Sequence, residues 1–549
     1  MFLLLLIPVK YLYVKFLYSI FLITVCSVIF QSCARKGSPE GGPKDEDAPI
    51  MVIAKPSNGS LNFDEKNIRI YFDEYIVLKD LSKQLIISPP LKNNPLITPQ
   101  GIPSKYINIK ILDTLKGNTT YTFNFGDAVQ DNNEGNTLEN FKYVFSTGDY
   151  IDSLTIKGGV RDIKAKELSK NYSVLLYKAD TTFNDSVPYR RKPDYVTKTY
   201  DSVNYNFSNI KEGKYFLMAI DEENPDYKFS SATEKIGFLN DTIYLPKDSV
   251  IKKSIILFQE KQPYKFKRAK QIKKGKIQFG FTGGNKKDFK VKLLSKTPEN
   301  YKDYTLFEEE KDTLNLWYTD IEADSLQYII THKEEIDTAT VFLRKKKIDS
   351  LVVSNNIKNV LHLTDTFKLT TNNPVVEIDT TKFSLVVSDS IPVPFKLKGL
   401  TSNEIGLMFD KKQKSKYTFT GLPNAIKDVY EVQSKDTLVY SFNTKEEEDY
   451  GTIILDIKKK VKSPVIIEIL DKDVVVKKEY VKSSKKLEFT LLEPKEYVIK
   501  AVVDENENGK WDTGVLLGKK QPERIIYLEE VLQLRANWSI NQVFEIDKE

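Results

Sequence analysis

Histidine and cysteine are nearly absent from this chain, with two of each in 549 residues. That scarcity removes most metal and nucleophile chemistry. A His- or Cys-based zinc site needs three or four such ligands, and a Cys–His or Ser–His–Asp arrangement needs a histidine beside its nucleophile. His332 and His362 each stand in a strand-like run with no second histidine nearby, so each is expected to be a satisfied or solvent-facing side chain. No G-x-x-x-x-G-K-S/T or G-x-G-x-x-G sequence opens a helix, and Phe281 to Lys287 (FTGGNKK) reads as a hairpin turn. Paired carboxylates stay open among the 76 Asp and Glu, but charges scattered along strands usually form solvated faces. No enzyme is expected; a glycan-active site in the middle of the chain is the form one would take. A large charge of one sign is missing too. Removing Met1 to Ser32 takes away Lys10 and Lys15, so the net charge falls from +6 to +6 − 2 = +4, which leaves no nucleic-acid footprint.

What is present begins with an apolar run, Phe16 to Phe30, preceded by Lys10 and Lys15 and followed by Gln31, Ser32 and Cys33. A basic start, a short apolar stretch and a small residue before the cut make a secretory signal over residues 1–32. Phe30-Gln31-Ser32-Cys33 resembles a bacterial lipoprotein signal, which implies cleavage before Cys33 and a lipid, such as palmitate, on its thiol. A plain transmembrane anchor is the alternative, because the apolar segment from Met1 approaches the roughly 20 residues that span a bilayer. Cleavage would leave Cys33 as the one cysteine, carrying lipid, and so exclude disulfides. Residues 33–48 (through ARKGSPEGGPKDEDA) are rich in Gly, Pro and charge, as a flexible tether is. Asp45-Glu46-Asp47 partly resembles the acidic export signal of Bacteroidota surface lipoproteins; a solvated linker is the alternative.

From there on Tyr, Phe, Val, Ile and Thr recur in short period-two runs between Gly, Asn, Asp and Pro turns, the pattern of an all-β chain. At roughly 100 residues per sandwich there is room for five domains, expected at 49–149, 150–262, 263–360, 361–449 and 450–549. In the first, IRIYFDEYI, LKGNTTYTFNF, AVQDNNEGNTL and YVFSTGD resemble the SbsA-type bacterial Ig-like domain, which implies a spacer or adhesion module without catalysis. In the second, LTIKGGVRD, YSVLLYKAD and GKYFLMAIDEENPDY resemble transthyretin-like, carboxypeptidase regulatory-like domains. Lys265 to Lys276 (KFKRAKQIKKGK) is a basic run, expected as a solvated linker or a contact for anionic lipid heads. Phe367 to Val387 resembles the start of another Ig-like domain.

The chain also echoes itself. GKYFLMAIDEENPDYK at 213–228 aligns with KEYVIKAVVDENENGKWDTG at 495–514, which points to duplication of an Ig-like plus transthyretin-like pair. In the later copy, Asp504, Asn506, Asn508 and Asp512 fall at positions one, three, five and nine of a loop with Gly509 at six, the spacing of a calcium loop. The Glu at position twelve and the flanking helices are missing, so an Asx-rich hairpin with Trp511 on the sheet is the other reading. The earlier copy, Asp221 to Tyr227, has Pro225 and lacks the glycine, and should not bind. The turn at Asp131, Asn133 and Gly135 is expected to be structural.

Together these resemblances imply a non-catalytic, lipid-anchored protein of the bacterial outer membrane, exposed at the cell surface. Its expected role is an accessory scaffold subunit of an outer-membrane β-barrel complex, in barrel assembly or export. The alternative is a stand-alone glycan-binding or adhesion lipoprotein.

Overall fold

The computed structural model describes residues 45–164, 171–199, 203–222, 225–252, 254–309, 311–319, 321, 323–344, 347–388 and 390–547. The expected signal segment, Cys33 and most of the expected tether lie outside the described residues. Among these residues no helix is long and apolar enough to cross a membrane.

The period-two runs form strands because alternate side chains point to opposite faces, so one face can be buried while the other meets water. In Asn67–Leu78, Ile68, Ile70, Phe72 and Ile76 are buried while Asn67, Arg69, Asp73 and Tyr75 are exposed. This strand sits between Met51–Lys55 and Ser104–Lys110, with Leu96–Thr98 at the far edge. A second sheet of Ile86–Ser88, Thr120–Gly126 and Phe141–Ser146 completes the first sandwich. Thr120–Gly126 is buried at every position, because the second sandwich covers its outer face. There Thr120 Oγ1 donates to Asp152 Oδ2 at 2.9 Å, and Ser88 Oγ accepts from the Val196 amide at 3.1 Å. The end of the expected tether is not loose: Asn136 Nδ2 donates to the carbonyls of Asp45 and Asp47, and Pro49 is buried.

The sheets divide into five sandwiches, with breaks between Ser146 and Leu154, Leu257 and Lys265, Phe342 and Val353, and Thr444 and Gly451. The third break differs from the expected boundary at 360. Val353–Asn355 pairs with Phe367–Thr371 and so belongs to the fourth sandwich. The basic run is not a linker either: Lys265–Lys273 is an edge strand paired with Lys276–Thr282. Its lysines hide the signal, since only Phe266 and Ala269 pack on the core.

The second and fifth sandwiches have the same strand order. In the second, Tyr195–Lys198, Ser173–Lys178, Gly213–Asp221 and Lys235–Phe238 are neighbours, facing Asn204–Ile210, Leu154–Asp162 and Ile255–Leu257. In the fifth, Val474–Val481, Val465–Asp471, Glu496–Val503 and Ile525–Tyr527 face Lys485–Leu492, Gly451–Lys459 and Ser539–Ile546. In both, the first and last strands pair in parallel. In both, a tyrosine hydroxyl donates to the carbonyl four residues back: Tyr215 to Lys211 at 2.7 Å, and Tyr497 to Glu493 at 2.9 Å.

The first and fourth sandwiches match in the same way. Tyr121 Oη accepts from the Lys116 amide and Tyr417 Oη from the Lys412 amide. Asp131 and Asp428, each buried, end short strands and accept backbone amides just beyond them. The repeat in the sequence is thus a repeat of two unlike sandwiches.

Candidate functional site at the junction of the second and fifth sandwiches

Tyr215 to Ile220 reads YFLMAI, an apolar run without alternation, which marks a strand buried on both faces. Tyr215, Leu217 and Ala219 face the core of the second sandwich. Phe216, Met218 and Ile220 face outward and are also fully buried. Part of their cover is local, from Phe183 and Phe229 of the second sandwich's own loops, and part comes from far along the chain: Leu516, Trp511 and Ile525 of the fifth sandwich, with Ile86 of the first. The matching strand of the fifth sandwich places Lys500 in its run (EYVIKAVV), and the ammonium pairs with Glu468 at 3.0 Å instead of taking a hydrophobic cover.

The loop that reaches across is Asp504 to Glu523, and its fold follows from where its carboxylates accept hydrogen bonds. Asp504 is fully buried, and its two oxygens accept the amides of Asn508 at 3.1 Å and Gly509 at 2.8 Å. Gly509 has φ +77°, a left-handed conformation that glycine takes without strain. Asn506 Oδ1 accepts from the Asn508 amide and Asn508 Oδ1 from the Lys510 amide, while both side-chain amides donate to Asp512. Glu523 then ties the two ends, its carboxylate accepting the amides of Glu505 and Asp512, both at 2.9 Å. Its carbonyl accepts from Trp511 Nε1.

The structure therefore brings together Asp504, Asn506, Asn508 and Asp512, the four residues of the calcium spacing. Their oxygens are the donor set a hard cation takes, but they are already engaged with the loop's own amides in the manner of an Asx-rich hairpin. What the loop holds in place is Leu516. Its amide donates to Glu260 Oε1 of the second sandwich at 2.6 Å, and its side chain is fully buried. Thr513 Oγ1 donates to the Gln259 carbonyl at 2.6 Å, and Gln521 Nε2 to the Phe238 carbonyl at 2.9 Å. A Cβ on Gly514 would come within 2.6 Å of both the Lys520 carbonyl and the Phe258 ring, so only glycine fits there. Burial pushes the Glu260 carboxyl above its ordinary range, against the opposing pull of the Leu516 amide.

The two histidines are both in contact with neighbours. His332 stacks on Tyr264 at 4.2 Å and its Nε2 accepts from the Asn285 amide at 3.1 Å. His362 Nε2 lies 2.9 Å from Glu493, joining the fourth and fifth sandwiches. Sequence reasoning missed Glu260, and with it Thr513, Leu516 and Gln521, which lie about 250 residues further along the chain. The unbroken YFLMAI run was the one signal that something covers the second sandwich.

Architecture and junction together define an all-β chain of tandem Ig-like sandwiches. Residues 45–147 match the bacterial Ig-like domain family. Among solved structures the chain is similar to the I9–I11 tandem of titin, 12% identical over 52% of this chain and 100% of that one, with TM-score 0.12. It is also similar to domains 4–9 of the surface layer protein SbsC, 11% identical over 83% of this chain and 66% of that one, with TM-score 0.19. A search among curated proteins gives no match.

Proposed function

We propose that this is a non-catalytic surface lipoprotein of a Bacteroidota outer membrane, held by lipid on Cys33, which serves as an accessory scaffold subunit of a β-barrel complex in barrel assembly or export. The second and fifth sandwiches would be its transthyretin-like modules, a reading their shared strand order supports. One observation carries the scaffold role. Val474–Val481 is an edge strand of the fifth sandwich, paired on one side with Val465–Asp471, and Val474, Val475, Val476 and Tyr480 are exposed along it. Lys477, Lys478 and Glu479 blunt the later half of this edge, and at Val474 to Val476 a partner strand can extend the sheet through main-chain hydrogen bonds.

Affinity purification through a C-terminal tag after crosslinking tests this. A stoichiometric β-barrel partner is expected, lost when Val475 and Val476 are replaced by lysine. The second reading, a stand-alone glycan-binding or adhesion lipoprotein, is favoured by a basic cleft between the first two sandwiches. Recovery of the chain alone, with retention on polysaccharide, would select it.

A further inference from the structure

A cleft of about 610 Å³ opens where the first sandwich meets the second. Five cations line it: Lys142, Lys157, Arg161, Lys198 and Lys252. Among the described residues no Asp or Glu lines it, and none of the five forms an ion pair. The positive charge is held there by the fold. Lys142 comes from Phe141–Ser146 of the first sandwich, Lys157 and Arg161 from Leu154–Asp162, and Lys198 ends Tyr195–Lys198. Lys198 is buried and its ammonium donates to the Lys83 carbonyl at 3.1 Å. Burial holds the ammonium groups of Lys142 and Lys198 below their ordinary pKa, which for Lys142 is the sole cause. Lys142 is the half-buried cation without a partner, while Lys198 also feels the Glu222 carboxyl and Lys157, Arg161 and Lys252 are exposed. An anion in the cleft would offset the cost of desolvating Lys142.

Two further features fit a larger guest than a bare anion. Asn140 and Asn206 add exposed amides at the rim. The volume is in the range of small-molecule sites, well above one phosphate.

We propose that this cleft binds a saccharide carrying an oxyanion, either carboxylate or phosphate, with Lys142 and Arg161 on the anion and the rim amides of Asn140 and Asn206 on the ring hydroxyls. The proposal does not rest on the β-barrel reading.

Calorimetric titration of the full chain in detergent with digalacturonate, glucose 6-phosphate, neutral galactobiose and inorganic phosphate tests it. At least one anionic saccharide is expected to bind, the stronger naming the oxyanion, with galactobiose and inorganic phosphate each roughly tenfold weaker or worse. Lys142→Gln with Arg161→Gln is expected to weaken binding by a further tenfold or more at unchanged melting temperature, the loss of a charge-assisted hydrogen bond being about 1.5–3 kcal/mol. If that pair does not fold, Lys252→Gln on an exposed segment is read in its place, with the same direction expected. No binding by either anionic saccharide, binding unaffected by the substitutions, or equal binding of inorganic phosphate would overturn the proposal.

Discussion

Glu222 follows the buried strand Gly213–Asp221, with Oε2 accepting the Tyr227 amide at 3.1 Å. Burial lifts its carboxyl to about 7 from 4.5, against the pull of Ser173 and that amide. A pKa raised by folding means stability that is whole below pH 4.5 and is lost as pH rises through about 7. At about 1.4 kcal/mol per unit the loss is on the order of 3 kcal/mol. Glu222→Gln removes the titration. Its melting temperature should match the wild type near pH 4.5 and exceed it above pH 7; equal melting curves at both ends would show the carboxyl titrating as in water. Asp504 is fully buried with both side-chain oxygens accepting amides. Asp504→Ala removes the acceptor of the Gly509 amide and one of the two acceptors of the Asn508 amide, a loss of about 1–3 kcal/mol in all, and a drop in melting temperature is expected. Because the loop closes on its own amides, melting in excess EDTA should match melting in excess calcium. A rise of several degrees with calcium would instead seat a cation among Asn506, Asn508 and Asp512.

At the scale of elements, what the sequence reveals depends on whether a strand meets water. Ile68, Ile70 and Phe72 alternate with exposed neighbours, and the strand is legible from that alone. The same holds for the paired repeats, whose turn-Tyr-strand pattern survives in both copies. Lys265–Lys273 is illegible because at the edge of a sheet it buries almost nothing, and its lysines read as a linker. The candidate junction is illegible for another reason: Leu516 and Glu260 meet only after two separate sandwiches have folded. YFLMAI announces a covered face without saying what covers it. Leu516→Arg places a charge in that cover, where an unpaired charge is not tolerated. The fifth sandwich is expected to undock while both cores stay folded, seen as unchanged far-ultraviolet circular dichroism with faster proteolysis between Asp512 and Glu523. Unaltered proteolysis would mean that Leu516 does not hold the junction.

For the whole molecule, five sandwiches in a row suggest an extended string, and the contacts describe something else. The first sandwich packs on the second through Ser88, Lys192 and Lys198. The second meets the third through Gln262, whose side chain donates to the Ser231 carbonyl and whose own carbonyl accepts from the Gly284 amide at 3.3 Å. The third meets the fourth where Tyr430 donates to the Gly275 carbonyl at 2.6 Å, and the fourth meets the fifth at His362 and Tyr450. The fifth then returns to the second, so the last four sandwiches close a loop with the first attached. Closure gives rigidity that a string lacks, since each sandwich in the loop is held at two places, as the proposed scaffold role requires. Lys519 of the fifth sandwich lies 3.7 Å from Asp185 of the second, close enough for a zero-length carbodiimide crosslink in dilute, monomeric protein. Mass spectrometry is expected to find the Lys519–Asp185 isopeptide in the wild type and to lose it in Leu516→Arg, with a larger radius of gyration by X-ray scattering. A wild type that scatters as an extended string and yields no such crosslink would remove the closed loop and the rigid scaffold built on it.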